Sequence, residues 1–283
     1  MRLSTRSLSL AAVAALALLG SSVISALPNP IRRHQPSVNV VRFDNHKVVR
    51  IQVDTKEQLD VLTAHERALK LDYFSHHKVV GGHMDVRIAP EHFQDFQDLN
   101  LNYKIKIDNL QAVLDKEEED NRVYQQRWET LKKEYNGKTD GGNVFATADW
   151  FAGYHSYADH MTWLSTQLKS YPNIATSFSA GTTYQGRSQA GIKIGSGPNN
   201  VVLHGLQHAR EWISGAVVEY IIDQLLQGAD TRVAAYLTKY TFHIIPIMNP
   251  DGFLVTQSSN RMHRKNVQVN GGCLGTDSEY TRI

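Results

Sequence analysis

A histidine and a glutamate three residues apart are the most informative pair of side chains in this sequence. His208 and Glu211 lie within residues 204–212 (HGLQHAREW). Side chains at this spacing point the same way from one helical turn. An imidazole nitrogen and a carboxylate oxygen placed in this way can take two positions of a tetrahedral zinc site, each about 2.0–2.2 Å from the metal. The pattern alone is weak, because a surface pair or a helix-start histidine bonded to an acid has the same spacing.

The elements predicted around this pair place it where α/β proteins bind ligands. Residues 201–203 (VVL) predict a strand buried on both faces. Ser214 can cap a following helix over residues 216–226, which Gly228 would close. Ligands of open α/β sheets lie at the carboxyl ends of strands, which is the position of His208.

Further elements predict an α/β domain with a parallel or mixed sheet around this site. Pro246 implies that its strand lies at a sheet edge or carries a bulge, and residues 249–252 (NPDG) predict a turn. The predicted elements are a helix at 157–170 and strands at 176–180, 191–194 and 241–248.

The N-terminal half predicts a different, smaller domain. The order strand, helix, strand, strand, helix, strand is that of a ferredoxin-like two-layer fold. The strands are expected at residues 46–53, 71–78, 83–88 and 103–107, and the helices at 56–69 and 91–98. A highly charged stretch at 110–137 then predicts a solvated connecting helix. Residues 137–142 (GKTDGG) predict a flexible break that a processing protease could cut.

Three motifs carry a resemblance to a known family. They are residues 206–214 (LQHAREWIS), 249–252 (NPDG) and 260–266 (NRMHRKN), in this order and with plausible gaps. In this combination the chain resembles the zinc metallocarboxypeptidases of the carboxypeptidase A/B type. Residues 38–109 look like the activation peptide of that family, and the stretch from Trp150 onward looks like the start of its catalytic domain.

The resemblance implies roles for four residues. His208 and Glu211 match the first two ligands of the family's single zinc ion, which would activate a water molecule as nucleophile. Arg210 matches an arginine that helps bind the substrate backbone. Arg264 matches the catalytic and substrate-binding arginine that polarises the scissile carbonyl, and a fixed guanidinium facing developing negative charge is a strong electrostatic catalyst. Taken alone, Arg264 is better explained as a solvated charge beside Lys265.

The end of the sequence departs from the family pattern. Glu279 and Tyr280 stand where the family has an Asn-Arg pair that grips the terminal carboxylate of the substrate, and an anionic Glu279 would repel that group. Ile283 precedes the family's third zinc ligand, its catalytic glutamate and the partner of the single Cys273. We therefore expect either a C-terminally truncated product or an incomplete gene model, and a chain that binds zinc weakly and has little or no peptidase activity.

Charge and the N-terminal residues narrow the class of protein. Thirty basic and 28 acidic residues give a net charge of +2, which argues against a nucleic-acid binder. Arg2 and Arg6 precede an apolar run at residues 8–19 and small residues up to Ala26, the pattern of a cleaved secretory signal peptide. The run is shorter than the roughly 20 apolar residues of a membrane span. The sequence thus predicts an extracellular protein with no membrane attachment after signal cleavage.

These observations combine into one expected organisation and two functional alternatives. The expected fold is a ferredoxin-like α+β propeptide domain followed by an incomplete α/β carboxypeptidase domain with a mixed sheet. The resemblance implies a secreted zymogen that hydrolyses the C-terminal peptide bonds of peptides or proteins after an activating protease cuts it. The alternative is a non-catalytic, propeptide-like inhibitor or folding partner of an intact carboxypeptidase. The expected segments are 1–26 (signal peptide), 27–37 (leader), 38–110 (activation peptide), 111–148 (charged linker with the activation cleavage) and 149–283 (N-terminal part of the carboxypeptidase domain).

Overall fold

Two four-stranded sheets organise the described part of the chain. The structure is a computed structural model that describes residues 39–75, 78–136, 148–228 and 231–269. All of these residues belong to one structural unit, Val38–Ile283. The expected signal peptide and leader, the break at 137–142 and Cys273 lie outside the described residues.

The first sheet confirms the predicted ferredoxin-like arrangement. It is antiparallel, with the strand order β2-β3-β1-β4. Apolar side chains from one face of β1 and β3 form a core with Leu62 and Phe96 from the two helices. The elements are β1 (Lys47–Val53), α1 (Lys56–His65), β2 (Asp72–Tyr73), β3 (Gly82–Ile88), α2 (Phe93–Gln97) and β4 (Tyr103–Ile107), with a single 3₁₀ turn at Pro90–His92.

The strand predicted at 71–78 is much shorter in the structure. β2 pairs with β3 only through Asp72 and Tyr73. The Ser75 hydroxyl accepts a hydrogen bond from the Asp85 N–H at 3.0 Å. Because a side chain takes the place of a ladder carbonyl there, the strand ends. This short strand carries Asp72, whose side chain contacts Arg210.

The predicted connecting helix is α3 (Leu110–Asn136), and one of its faces is buried rather than solvated. Trp128 is fully buried and packs against Trp150, with ring centroids 5.4 Å apart. The Tyr124 hydroxyl donates to the Asp149 carbonyl at 2.7 Å. The helix therefore contributes to the core of the second half of the chain.

The second sheet is mixed, as predicted. Its order is β5-β6-β8-β7, in which β7 and β8 are parallel and the other two pairings are antiparallel. A core that includes Trp150, Trp163 and Ile222 lies between this sheet and the helices. The elements are α4 (Tyr157–Ser170), β5 (Ala175–Thr182), β6 (Ser188–Ile194), β7 (Asn199–His204), α5 (Trp212–Gln227), α6 (Thr231–Lys239), β8 (Tyr240–Ile245) and α7 (Pro250–Ser258), with a 3₁₀ turn at Ala148–Ala152.

Three local predictions in this half are wrong. In the described residues β7 is an edge strand, so Val202 is 64% exposed rather than buried. β8 is central, and Pro246 lies just beyond its end, where its missing N–H removes no ladder bond. The predicted turn at 249–252 opens a helix instead, with Asn249 as N-cap and Pro250 in its first turn.

No helix within the described residues is long and apolar enough to cross a membrane.

Candidate zinc and substrate site

The loop that leaves β7 is fixed closely against the end of β8. The Gly205 N–H donates to the Ile245 carbonyl at 2.9 Å. A Cβ at position 205 would lie 2.7 Å from the Ser214 carbonyl oxygen and 2.8 Å from that of Pro246. Only glycine lets the loop approach both backbones, so this residue sets where the loop starts.

Ser214 ties this loop to the start of α5. Its hydroxyl accepts from the Leu206 N–H at 2.8 Å and donates to the Glu211 carbonyl at 2.7 Å. The prediction that Ser214 is the N-cap is wrong, because the helix already begins at Trp212. The hydroxyl instead holds the two ends of the loop together.

His208 and Glu211 face each other across this loop. The His208 Nδ1 lies 3.0 Å from Oε1 and 3.2 Å from Oε2 of Glu211. Both side chains are partly accessible, at 14% and 35% exposure. The convergence expected from the spacing is therefore present in the structure.

The donor set of this pair suits a zinc ion. One imidazole nitrogen and one carboxylate converge on the same point at the carboxyl end of a strand, which is what zinc coordination requires of two ligands. Within the residues that the structure describes, no group of three or more His, Cys, Asp or Glu side chains could hold a metal. The described chain thus supplies two candidate ligands.

Arg264 lies beside this pair. The Ala209 N–H donates to the Arg264 carbonyl at 2.9 Å, which joins residues 260–266 to the loop. The side chain is partly buried, and burial, followed by the positive charge of Arg210, lowers the pKa of its guanidinium. Glu211 and Asp72 are near enough to oppose that effect. The structure therefore places Arg264 with the other predicted site residues, and not as a solvated surface charge.

Asn249 is a site-forming residue that the sequence reasoning missed. Its Nδ2 donates to the Lys265 carbonyl at 3.0 Å, and its backbone N–H donates to the Leu206 carbonyl at 3.0 Å. The side chain thereby connects the loop of His208 to the segment of Arg264. The NPDG motif identified the position but suggested only a turn.

Arg210 is buried against the N-terminal sheet. Its two terminal nitrogens donate to the two carboxylate oxygens of Asp72, at 2.6 and 3.1 Å. Nη2 also donates to the Tyr73 carbonyl at 3.0 Å, and the guanidinium lies 4.5 Å from the centre of the Phe74 ring. Two-pronged pairing of this kind is among the stronger hydrogen-bonded contacts in proteins.

A second arginine of the same region also binds a carboxylate from the N-terminal half. Arg261 donates to both oxygens of Glu117 on α3, at 2.6 and 3.2 Å. It also donates to the Arg210 carbonyl at 3.0 Å and lies 3.8 Å from the Trp212 ring centre. Nothing in the sequence pattern marked Asp72 or Glu117, since each lay in a stretch that predicted ordinary secondary structure.

Comparison with known families agrees with both halves of the fold. Residues 160–279 match the family model of zinc carboxypeptidases. Residues 49–117 match the family model of carboxypeptidase activation peptides. The chain belongs to the zinc carboxypeptidase family, and this membership implies a Zn²⁺ cofactor.

Curated relatives carry matching names. A metallocarboxypeptidase A-like protein of Trichophyton verrucosum is 33% identical over 92% of this chain and 58% of its own length. Zinc carboxypeptidase A 1 of Drosophila melanogaster is 28% identical over 92% of this chain and 59% of its own length. The chain thus spans somewhat under two thirds of these relatives.

Solved structures show the same fold. Carboxypeptidase A from Helicoverpa armigera superposes with a TM-score of 0.65 at 24% identity, over 82% of this chain and 55% of that one. Thrombin-activatable fibrinolysis inhibitor superposes with a TM-score of 0.60 at 19% identity, over 83% of this chain and 58% of that one. At these identities the likeness speaks for the fold alone.

Proposed function

We propose that the chain is a secreted zymogen of a zinc metallocarboxypeptidase, which hydrolyses the C-terminal peptide bond of peptides or proteins. An activating protease would separate the N-terminal domain, residues 38–110, from the carboxypeptidase domain that starts near residue 149. Secretion through a signal peptide at residues 1–26 is part of the proposal.

The chemistry would be divided among four residues. His208 and Glu211 would hold Zn²⁺, which supplies an activated water molecule when bound. Arg264, beside them, would bind the scissile carbonyl and stabilise the negative charge that develops on its oxygen. Arg210 would bind the backbone of the substrate.

The contact between Asp72 and Arg210 is the observation that carries the zymogen proposal. A substrate would bring its own carbonyl or carboxylate oxygens to Arg210. In the structure the Arg210 guanidinium already donates hydrogen bonds to the carboxylate of Asp72 and to the carbonyl of Tyr73. The N-terminal domain would therefore compete with substrate until it is removed.

Metal binding and peptide hydrolysis test the proposal separately. Titration of the purified chain with Zn²⁺ should show weak binding that a chelator reverses, and His208→Ala and Glu211→Gln should each remove most of that binding. His65→Ala, which changes an exposed histidine on α1, is the matched control. Equal zinc affinity in all four proteins would contradict the assignment of the ligands.

Hydrolysis is measured as release of the C-terminal residue from a peptide, before and after cleavage at a protease site introduced at residues 137–142. Any release should depend on zinc, and it should rise once the cut N-terminal fragment has been removed. Activity that is unaffected by the chelator or by His208→Ala would reject the zinc carboxypeptidase assignment.

A non-catalytic role as inhibitor or folding partner is the second candidate. It is favoured by the fact that the first sheet has its own core while Asp72 and Glu117 reach arginines of the second half. Residues 38–136 could present the same carboxylates to another carboxypeptidase. Binding of the full chain to a mature family enzyme, lost on Asp72→Ala, would support this role.

A further inference from the structure

A series of hydrogen-bonded polar side chains runs from Arg210 into the N-terminal sheet and ends at His46. The Asp72 carboxylate accepts from Arg210 and also from the Arg87 Nε, at 3.1 Å. The Arg87 Nη1 lies 3.0 Å from the His46 Nδ1. A guanidinium can only donate hydrogen bonds, so the His46 Nδ1 must be the acceptor and carries no proton. This arrangement requires His46 to be neutral.

Arg87 positions the carboxylate that Arg210 binds. Arg87 and Asp72 are direct cross-strand partners in the pairing of β3 with β2. The Arg87 side chain is 6% exposed, and its guanidinium lies 5.1 Å from the centre of the Phe43 ring. Only two residues of β2 are paired with β3. The position of Asp72 therefore depends on the Arg87 side chain as well as on the backbone pairing of the two strands.

Protonation of His46 would disturb this arrangement. It would place an N–H and a positive charge 3.0 Å from a nitrogen of the buried Arg87. The other charged groups near the ring are Glu91, which follows β3, and Asp44 from its own segment. α3 contacts this residue through the Leu110 N–H, which donates to the His46 carbonyl at 2.8 Å.

The balance of these groups favours the neutral ring. Burial, and then Arg87, lower the pKa of His46 below its ordinary 6.5, while Glu91 and Asp44 oppose them. A histidine whose pKa is depressed in the closed form stabilises that form above pH 6.5. Its contribution is lost as the pH falls below that value.

We propose that protonation of His46 loosens Arg87 and thereby weakens the ion pair between Asp72 and Arg210. The proposal rests on the zymogen function for its biological meaning, because opening this pair would uncover the substrate arginine before any cleavage. The N-terminal domain would then respond to acidic surroundings as well as to a protease.

Hydrogen exchange measured by mass spectrometry tests the switch. The readout is the protection of backbone amides at residues 72–75 and 85–87 at pH 7.5 and pH 5.5, corrected for the intrinsic pH dependence of exchange. In the unmodified chain the protection should fall several-fold at the lower pH. In His46→Gln it should not change. His65→Gln, a histidine of the same domain outside this chain of contacts, should behave like the unmodified chain.

Peptides covering residues 192–194 and 242–245 report global unfolding, so the fall in protection at residues 72–75 and 85–87 should exceed any change in these peptides. The proposal is overturned if the unmodified chain shows no local fall, or if His46→Gln keeps it. Should that variant not fold, titration of the His46 ring by NMR in the unmodified chain decides, since a pKa at or above 6.5 excludes the switch. None of these measurements uses zinc or a peptide substrate, so their failure would leave the carboxypeptidase proposal standing.

Discussion

At the scale of single residues, the carboxylate of Asp72 holds together two halves of the chain that are far apart in sequence. It accepts two hydrogen bonds from Arg210, a side chain that is only 5% exposed. Removal of one member of a buried ion pair leaves the other desolvated without compensation, which costs about 3 kcal/mol. The contact is therefore important for stability.

Asp72→Ala should lower the free energy of unfolding by about 3 kcal/mol, as measured by urea denaturation. Asp60→Ala is the matched control, because Asp60 pairs with Lys56 on the exposed surface of α1. Loss of such a surface pair should cost much less, because water and salt screen an exposed pair. Equal effects of the two substitutions would show that the Arg210 contact contributes nothing special.

A second prediction at this scale concerns the pH dependence contributed by His155. Its Nε2 donates to the Trp150 carbonyl at 2.8 Å, and its Nδ1 is buried with no hydrogen-bond partner in the described structure. Burial is the main cause that lowers the pKa of His155 from 6.5 to about 4. The folded state thus binds this proton less well than the unfolded state, and stability falls as the pH drops from 6.5 towards 4.

The contribution of His155 should be about 2 kcal/mol between pH 7 and pH 5. Urea denaturation at the two pH values should show a loss of stability that is smaller by this amount in His155→Gln. The same change at His65, which is exposed on α1, should leave the loss as it is in the unmodified chain. An unaltered pH dependence in His155→Gln would mean that the buried ring titrates normally.

At the scale of elements, α3 belongs to the second half of the chain more than its charge suggests. Besides the buried Trp128, its side chains meet residues 149–159 along one face. A Cβ at Gly153 would lie 2.1 Å from the Tyr124 ring, so the two segments are in direct contact. The hydrogen bonds between these segments include those from the Gln125 side chain to the Tyr154 carbonyl, from the Tyr154 N–H to the Asn121 Oδ1 and from Lys132 to Asp159.

Trp128→Ala should therefore destabilise the chain by about 3–5 kcal/mol, the usual cost of deleting a large buried aromatic side chain. Val123→Ala, on the exposed face of the same helix, should change the free energy of unfolding by less than about 0.5 kcal/mol. Thermal or urea unfolding followed by tryptophan fluorescence and circular dichroism gives both values. Similar losses in the two variants would show that α3 is only a tether.

Elements were largely predictable because they depend on local patterns. The strand predicted at 103–107 and the start of the helix predicted from residue 56 depend on neighbours within a few residues, and both form where expected. The pair of His208 and Glu211 was found for the same reason. Exposure of β7 and the central position of β8 depend on strand order, which no local pattern specifies. Asp72 was missed because its partner Arg210 is 138 residues away.

At the scale of the whole molecule, charge pairs and apolar packing both join the two halves of the described chain. Asp72 and Glu117 reach the arginines of the candidate site, whereas Trp128 and its neighbours pack into the core beneath Trp150. The Phe43 side chain adds a third contact, in a small cluster with Met262. Residues 39–136 are thus held by charge pairs at the site and by apolar burial away from it.

Because the apolar contact does not depend on chain continuity, cleavage between α3 and Trp150 should leave the two fragments associated. A specific protease site introduced at residues 137–142 tests this, with size-exclusion chromatography of the cut protein at low and at about 1 M salt. Salt should weaken the partly exposed pair of Arg261 and Glu117 but not the burial of Trp128, so co-elution should persist at both salt concentrations. In Trp128→Ala the fragments should separate more readily, and in Val123→Ala they should not. Separation of the unmodified fragments on cleavage alone would show that the core contact of α3 does not hold the N-terminal half in place without the linker.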